Sequence, residues 1–431
     1  MSEDVLRQKG SAAMTTSTAE KISKFFRVNY QKCRNKYLLK RFEMIMDRIN
    51  ATGEVNGVRL CFLDLFPSHH QFSGELIKQV ALRRPVCLLV SDRSHPAYRK
   101  RNQMKNVHVF LLDKRWLSFC LNWLRIPYLV TPASHLHPSS VRPELLTVHL
   151  YHSLVSMHAV YGDDAFDTYT HFFACGPHHE REVKAIKLAR GLRPATVFQI
   201  GYPKLDELAF NFEGRKSTSE NRKTILLAPS WHPENLLKMH GDTICHAIMQ
   251  LGYKLIIRPH PHLFDRDKVT MAKLRAIARS SNGMMTIENP NREFKSFWMA
   301  DLMVSDWSGV ALEYAFCTER PVVFIDAPRK VSSVDLLKLN LPAVEESLRS
   351  EVGVIVDVNG LQAGINQTLS LPTHHWQQRI QAVRNKNIYN FKNSAKIGTE
   401  TLIKISERSD MLSEYDMPRE RILEFIDHYF N

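Results

Sequence analysis

Three short polar stretches, each closing an apolar run, hold the residue types in this chain best suited to binding an anion. Ser305-Asp306-Trp307-Ser308-Gly309 follows Leu302-Met303-Val304 and precedes Val310-Ala311-Leu312-Glu313-Tyr314-Ala315, a pattern that predicts strand, tight turn and helix. The first turn of such a helix carries unpaired N–H groups and the positive end of the dipole, and Ser308 and Gly309 add a hydroxyl and an unobstructed backbone beside them. This suits a phosphate; it also suits a helix merely capped by Asp306 or Ser308. Upstream, Arg258-Pro259-His260-Pro261-His262 follows Lys254-Leu255-Ile256-Ile257, a buried strand that Pro259 must end. Pro229-Ser230-Trp231-His232 closes a third run, Thr224-Ile225-Leu226-Leu227-Ala228. Ligands of open parallel sheets bind outside the carboxyl ends of the strands, so one at these loops would meet a helix N-terminus, Ser230, Arg258 and two imidazoles together.

The elements that must position these loops recur along the chain. Gly57–Leu65, Pro85–Val90, Val107–Leu112, Pro127–Val130, Leu145–Tyr151, Thr170–Ala174 and Val197–Ile200 are apolar runs separated by polar or helical stretches. Asn211 to Lys223 is polar and charge-rich and reads as an inter-domain connection. A second series follows at Thr224–Ala228, Lys254–Ile257, Met284–Ile287, Leu302–Ser305, Val322–Ile325 and Val352–Val356, and the tail from His375 is helical in pattern. Strands alternating with helices predict parallel α/β sheets. The expected division is a disordered start and basic helix over 1–50, one α/β domain over 51–210, a second over 221–374, and C-terminal helices over 375–431.

At 431 residues, 44% hydrophobic and 24% charged, the composition is that of an ordinary globular protein with room for two or three domains. No apolar run approaches the roughly 18 to 20 residues of a membrane span, and Met1-Ser2-Glu3-Asp4 opens no signal peptide, so a cytoplasmic chain is expected. Seven scattered cysteines with no C-x-x-C pair read as reduced core residues. The net charge of +14 favours phosphorylated substrates, anionic lipid or nucleic acid without choosing among them. Lys21, Lys24, Arg27, Lys32, Arg34, Lys36, Lys40 and Arg41 interleave with Phe25, Phe26, Tyr30 and Tyr37. Such a helix either lies on a membrane or packs on the domain with a solvated basic face. Dinucleotide and P-loop fingerprints are absent from the sequence.

Leu226-Leu227-Ala228-Pro229-Ser230-Trp231, Arg258-Pro259-His260-Pro261, Ser305-Asp306-Trp307-Ser308-Gly309-Val310 with Glu313-Tyr314-Ala315, and Arg320-Pro321-Val322-Val323-Phe324 occur in this order. Together with Gly201-Tyr202-Pro203-Lys204-Leu205-Asp206 they resemble the CDP-glycerol glycerophosphotransferase family of teichoic-acid and capsule-polymer synthesis, over roughly residues 145 to 330. The resemblance implies an α/β GT-B fold: two facing Rossmann-like domains with parallel sheets, the second holding the nucleotide and the first the acceptor. It implies that His260 and Ser308, with Ser230 and Gly309, contact the donor pyrophosphate. Glu313 would reach ribose hydroxyls or stand as a plain surface glutamate. The family's acceptor-side histidine lies in a His-Gly-Thr-Pro-x-Lys type motif; here Thr147-Val148-His149-Leu150-Tyr151-His152-Ser153 keeps the histidine without the glycine and lysine. His152 is the candidate, with His158 and His149 as competitors, the latter reading as a core residue. His178-His179 reads as a loop pair, because adjacent side chains point apart.

The chemistry implied is attack of an acceptor hydroxyl on the β-phosphorus of a CDP-activated donor, with CMP leaving. An alkanol needs a base near neutral pH, and an imidazole suits it, hence His152. His260, Arg258 and the N–H groups at Ser308 and Gly309 would meet the charge on the departing phosphate. Without a D-x-D pair, no metal and no cofactor are expected. The acceptor would be a lipid-linked or polymeric chain, reached by peripheral contact with the anionic inner leaflet of the cell membrane. A GT-B glycosyltransferase or a UDP-sugar 2-epimerase is the nearest alternative. A nucleic-acid-binding protein lacks any supporting signature.

Overall fold

The structure is a computed structural model, and it describes residues 34–213, 222–232, 234–290, 294–328 and 338–407. Every apolar run above becomes a strand: β1 (Leu60–Asp64), β2 (Val86–Val90), β3 (Val107–Leu111), β4 (Tyr128–Thr131), β5 (Leu146–Leu150), β6 (His171–Ala174) and β7 (Thr196–Gln199) in one sheet. The second holds β8 (Thr224–Leu227), β9 (Lys254–Ile257), β10 (Met285–Ile287), β11 (Leu302–Ser305), β12 (Val322–Ile325) and β13 (Gly353–Val356). The central strands are buried throughout, as expected when helices cover both faces of a parallel sheet, which is why the runs are continuous rather than alternating.

The sheets repeat one plan. The first runs β3-β2-β1-β4-β5-β6-β7 and the second β10-β9-β8-β11-β12-β13, with parallel pairing throughout. The strand order reverses between β1 and β4 and between β8 and β11, the switch points where such sheets open a ligand crevice. Polar residues at these strand ends therefore converge on two edges.

The basic helix is partly settled. Over 34–56 it is helical and buries Leu39, Phe42, Met46 and Ile49 in the core of the first domain, while Lys36, Tyr37, Lys40 and Arg41 stay exposed. For this part the packed reading holds, because a single apolar stripe can serve only one partner. The helix also runs through residue 50, where the first boundary was expected. Residues 20–33, with Phe25 and Phe26, lie outside the described residues.

The chain passes between the sheets a second time. The helix Thr373–Asn387 buries Trp376, Ile380 and Val383, and the helix Ser394–Glu407 returns to the first domain, where Leu402 and Ile405 join its core. Between them Tyr389 N donates to Cys175 O at 2.8 Å, and Lys392 N and Ser394 N donate to the Asp206 carboxylate at 2.6 and 2.7 Å. This return lies so close that a Cβ at Gly176 would stand 1.9 Å from Asn387 O, and one at Gly201, where φ is +95°, 2.2 Å from Tyr389 O. Only glycine meets both demands at residue 201.

Candidate active site

At the edge of the second sheet the helix Gly309–Thr318 begins as expected after β11. Ser308 is its N-cap residue in extended conformation, yet its side chain makes no capping hydrogen bond. Asp306 does not cap either: its buried carboxylate accepts from Ser230 N at 2.7 Å and Ser230 Oγ at 2.9 Å. Burial raises the Asp306 pKa, with the Ser230 bonds opposing. Asp306 thus ties the β8 loop to the β11 loop, and the Ser230 hydroxyl proton is committed to it. Ser305 is fully buried and its Oγ donates to Ala228 O at 2.7 Å, which corrects its placement among substrate-binding residues. Trp307 Nε1 donates to Ala327 O at 2.7 Å and fixes the outer side of the turn.

His260 N-caps the short helix Pro261–Arg266, its Nδ1 accepting from His262 N at 3.2 Å. A neutral imidazole has one N–H, so this cap assigns the hydrogen to Nε2 and makes the outer nitrogen a donor, as a phosphate oxygen requires. Arg258 differs from expectation. Its guanidinium pairs with Glu288 at 2.5 Å, donates to Pro290 O at 2.9 Å and lies 4.1 Å from the Phe294 ring centre. Its charge is compensated before any ligand arrives. Glu313 is also corrected: it is 2% exposed, and its oxygens accept from Tyr202 Oη at 2.9 Å and Lys204 Nζ at 2.7 Å. It is no surface residue, and a ribose would have to compete with a buried ion pair joining the two domains.

At the edge of the first sheet, His152 follows β5. Its Nδ1 lies 3.0 Å from Pro132 O, which makes that nitrogen the N–H donor, and its Nε2 accepts from Tyr161 Oη at 3.1 Å. Burial, then the neighbouring His69, lowers its pKa to about 4. The following loop is held by groups the sequence did not disclose. His178 and His179 are buried in the helix Pro177–Ala189 rather than in a loop, and their Nε2 atoms meet Leu154 O and Val155 O at 3.0 and 3.2 Å. Glu182 accepts from Met157 N at 2.6 Å and Glu345, from the second domain, from Ser156 N at 2.9 Å. His158 is buried, with Nε2 at 2.9 Å from Leu341 O and Glu182 beside its Nδ1; burial works against its protonation, but Glu182 prevails and raises its pKa. It belongs to this clasp. His149 is packed among Tyr151, Phe166, Tyr169 and Phe172 as a core residue.

The clasp brings the two edges together. A Cβ at Gly309 would lie 2.3 Å from Ser153 Oγ and 2.9 Å from Val155 Cγ1, so the residue after His152 rests on the helix start of the opposite domain. One further group went unread in the sequence: Asp64, His70 and His95 place one ligand-type atom each within 4.8 Å of one another.

Residues 166–330 match the family model described as CDP-glycerol:poly(glycerophosphate) glycerophosphotransferase. This segment is similar to that family. The matched segment spans β6 to β12 and includes Ser230, His260, Ser308 and Gly309, whereas His152 lies ahead of it. The enzyme class expected from the sequence is that of the matched family. Among solved structures, the wall teichoic acid polymerase TagF, as a histidine-to-asparagine variant soaked with CDPG, is similar at 14% identity over 88% of this chain and 98% of that one, with a TM-score of 0.54. A putative UDP-N-acetylglucosamine 2-epimerase from Listeria monocytogenes covers 84% of this chain and 100% of its own at 10% identity and a TM-score of 0.56. The UDP-GlcNAc 2-epimerase of Methanocaldococcus jannaschii, in complex with UDP-GlcNAc and UDP, is 12% identical over 81% of this chain and 99% of its own, with a TM-score of 0.52. These likenesses establish the GT-B arrangement of the two domains. No curated protein matches the chain.

Proposed function

We propose that this chain transfers an alditol-phosphate unit, of the glycerol-phosphate type, from a CDP-activated donor to a hydroxyl of a lipid-linked or polymeric cell-envelope acceptor, releasing CMP. The observation that carries this reading is the helix start at Ser308 and Gly309, whose serine hydroxyl is not spent on capping and which shares its sheet edge with the N–H of His260. Backbone N–H groups, a hydroxyl and a neutral imidazole donor suit a pyrophosphate. The acceptor oxygen bonds to the β-phosphorus as the bond from that phosphorus to the bridging oxygen breaks, and the charge left on CMP is met by the cradle and His260. His152, at the place the resemblance gives the base, lines the acceptor edge.

The test is nucleotide release from a panel of CDP-glycerol, CDP-ribitol, UDP-GlcNAc and UDP-glucose. CMP from a CDP-alditol is the expected result. UDP release, or epimerised sugar with the nucleotide intact, would assign the cleft to the chemistry of the fold's other occupants.

The acceptor also suggests where the chain works. The exposed face of helix 34–56 carries Lys36, Lys40 and Arg41 around Tyr37, a composition that attracts anionic lipid by about 1 kcal/mol per basic residue. Co-sedimentation with phosphatidylglycerol vesicles that weakens as salt rises is expected; binding indifferent to salt or to lipid charge would remove this part.

A further inference from the structure

Transfer to a hydroxyl needs a group to take its proton, and the first sheet edge offers two imidazoles. His152 has one lone pair, on Nε2, and Tyr161 Oη already occupies it. Its basicity is also low, since burial and then His69 hold its pKa at about 4. The second imidazole belongs to the group around Asp64.

Asp64 is the last residue of β1, beside the switch point of the first sheet, and it is fully buried. Its carboxylate accepts from Ser73 Oγ at 2.8 and 2.9 Å, from His95 Nε2 at 3.1 Å, and from His70 Nδ1 at 3.4 Å. The tautomers follow from the remaining bonds. His95 N-caps the helix Pro96–Arg99, its Nδ1 accepting from Ala97 N at 3.2 Å, so Nε2 carries its hydrogen and points it at Asp64. A metal ion would need a lone pair at that nitrogen, which leaves only two ligands and argues against an ion there. His70 is the reverse case. With Nδ1–H turned to Asp64, its Nε2 holds the lone pair, that nitrogen has no partner among the described residues, and the side chain is 25% exposed.

The group is continuous with His152. His69 feels the charges of Asp64 and His95 and itself acts on His152, while the Phe72 ring, two residues beyond His70, is 5.9 Å from the His152 ring. A carboxylate that orients one imidazole nitrogen and leaves the other open is the arrangement that makes histidine an effective proton acceptor.

We propose that His70, oriented by Asp64, takes the proton of the acceptor hydroxyl, with His95 and Ser73 as positioning residues that hold the carboxylate. The inference rests on the transferase reading above and names its base. As the acceptor oxygen bonds to phosphorus and CMP departs with the bridging oxygen, the hydroxyl proton passes to His70 Nε2.

The experiment measures CMP release from CDP-glycerol, with short poly(glycerol phosphate) as acceptor, for the full chain and for His70→Ala, His152→Ala and Asp64→Asn, alongside CDP affinity and thermal melting. His70→Ala is expected to lower kcat by about 100- to 10,000-fold, the usual range for a lost general base, with CDP affinity unchanged. Added imidazole should restore part of the rate in His70→Ala, and Asp64→Asn should lie between that variant and the unaltered chain. Activity of His70→Ala within about threefold of the unaltered chain overturns the proposal. So does a loss that imidazole does not rescue and that lowers CDP affinity or melting temperature, which marks His70 as structural, and so does stoichiometric metal that disappears with His70. If the unaltered chain releases no CMP from a CDP-alditol, the transferase reading fails and this inference with it.

Discussion

The two domains carry the same His-Pro corner at matching places and surround it differently. In both sheets the corner follows the strand next to the central one: His95-Pro96 after β2 and His260-Pro261 after β9. In both, Nδ1 accepts from the backbone N–H two residues on, at 3.2 Å, and Nε2 becomes a donor. In the first domain that donor meets Asp64 and is wholly buried; in the second it belongs to a half-buried side chain with the His262 ring beside it. A local motif thus fixes a tautomer, and the neighbouring strand decides whether the hydrogen serves the fold or a ligand.

Removing the histidine should have opposite consequences at the two corners. His95→Ala should cost about 1 to 3 kcal/mol of stability, because a buried carboxylate loses a donor, and should leave CDP affinity unchanged. His260→Ala should weaken CDP binding by a similar amount and cost less stability than His95→Ala, since it loses only the cap of a short helix and leaves no buried carboxylate without a donor. Denaturant titration and calorimetric CDP titration of both variants read the two effects separately; a stability loss for His260→Ala with intact CDP binding would erase the distinction.

The contact between the edges gives a second test. Gly309→Ala puts a methyl group against Ser153 Oγ and Val155, an overpacking worth about 1 to 3 kcal/mol. It should reduce both melting temperature and turnover, and Ser153→Gly in the same chain should recover much of each. Failure of that second change to help would mean that the edges do not meet. Ser308→Ala is expected to be milder, about 1 kcal/mol in CDP affinity alone, since one hydroxyl is lost from a cradle of several donors. An equal loss of stability instead would return Ser308 to capping.

The smallest effect concerns pH. His69 is held at about 4 against an ordinary 6.5, first by burial, with His95 and Lys114 adding to it and Asp64 opposing. Between those values the unfolded chain binds a proton that the folded one does not, so this site makes stability rise with pH across the window and fall on acidification through it. His69→Gln should flatten the slope of melting temperature between pH 6.5 and 4; an unchanged slope would show that His69 is not held neutral.

The fold was legible because a strand buried on both faces writes itself as a continuous apolar run, and the run needs no distant partner to be seen. The second sheet edge was legible for a related reason: Ser308, Gly309 and His260 act through backbone geometry within a few residues. What escaped reading depends on contacts between remote segments. Arg258 looks open until Glu288, 30 residues away, neutralises it, and Glu313 looks superficial until Lys204, at a separation of 109, is set against it. His178 and His179 could be judged only once β5 and its loop lay beside their helix. Asp64 ends β1 and His95, 31 residues on, lies in the loop that follows β2, a pairing visible once β1 and β2 are known to be adjacent.

The second passage of the chain, from Asn387 to Ser394, changes what severance would do. The fragment that begins after residue 221 would still own the helix Ser394–Glu407, whose Leu402 and Ile405 sit in the first domain, and the bonds from Lys392 and Ser394 to Asp206 would remain. Cleavage between residues 213 and 222 would therefore yield two polypeptides that stay associated, each incomplete without the other. The halves of this molecule are interlaced rather than strung in series, and a split protein reassembled from separately expressed pieces is the natural form in which to see it.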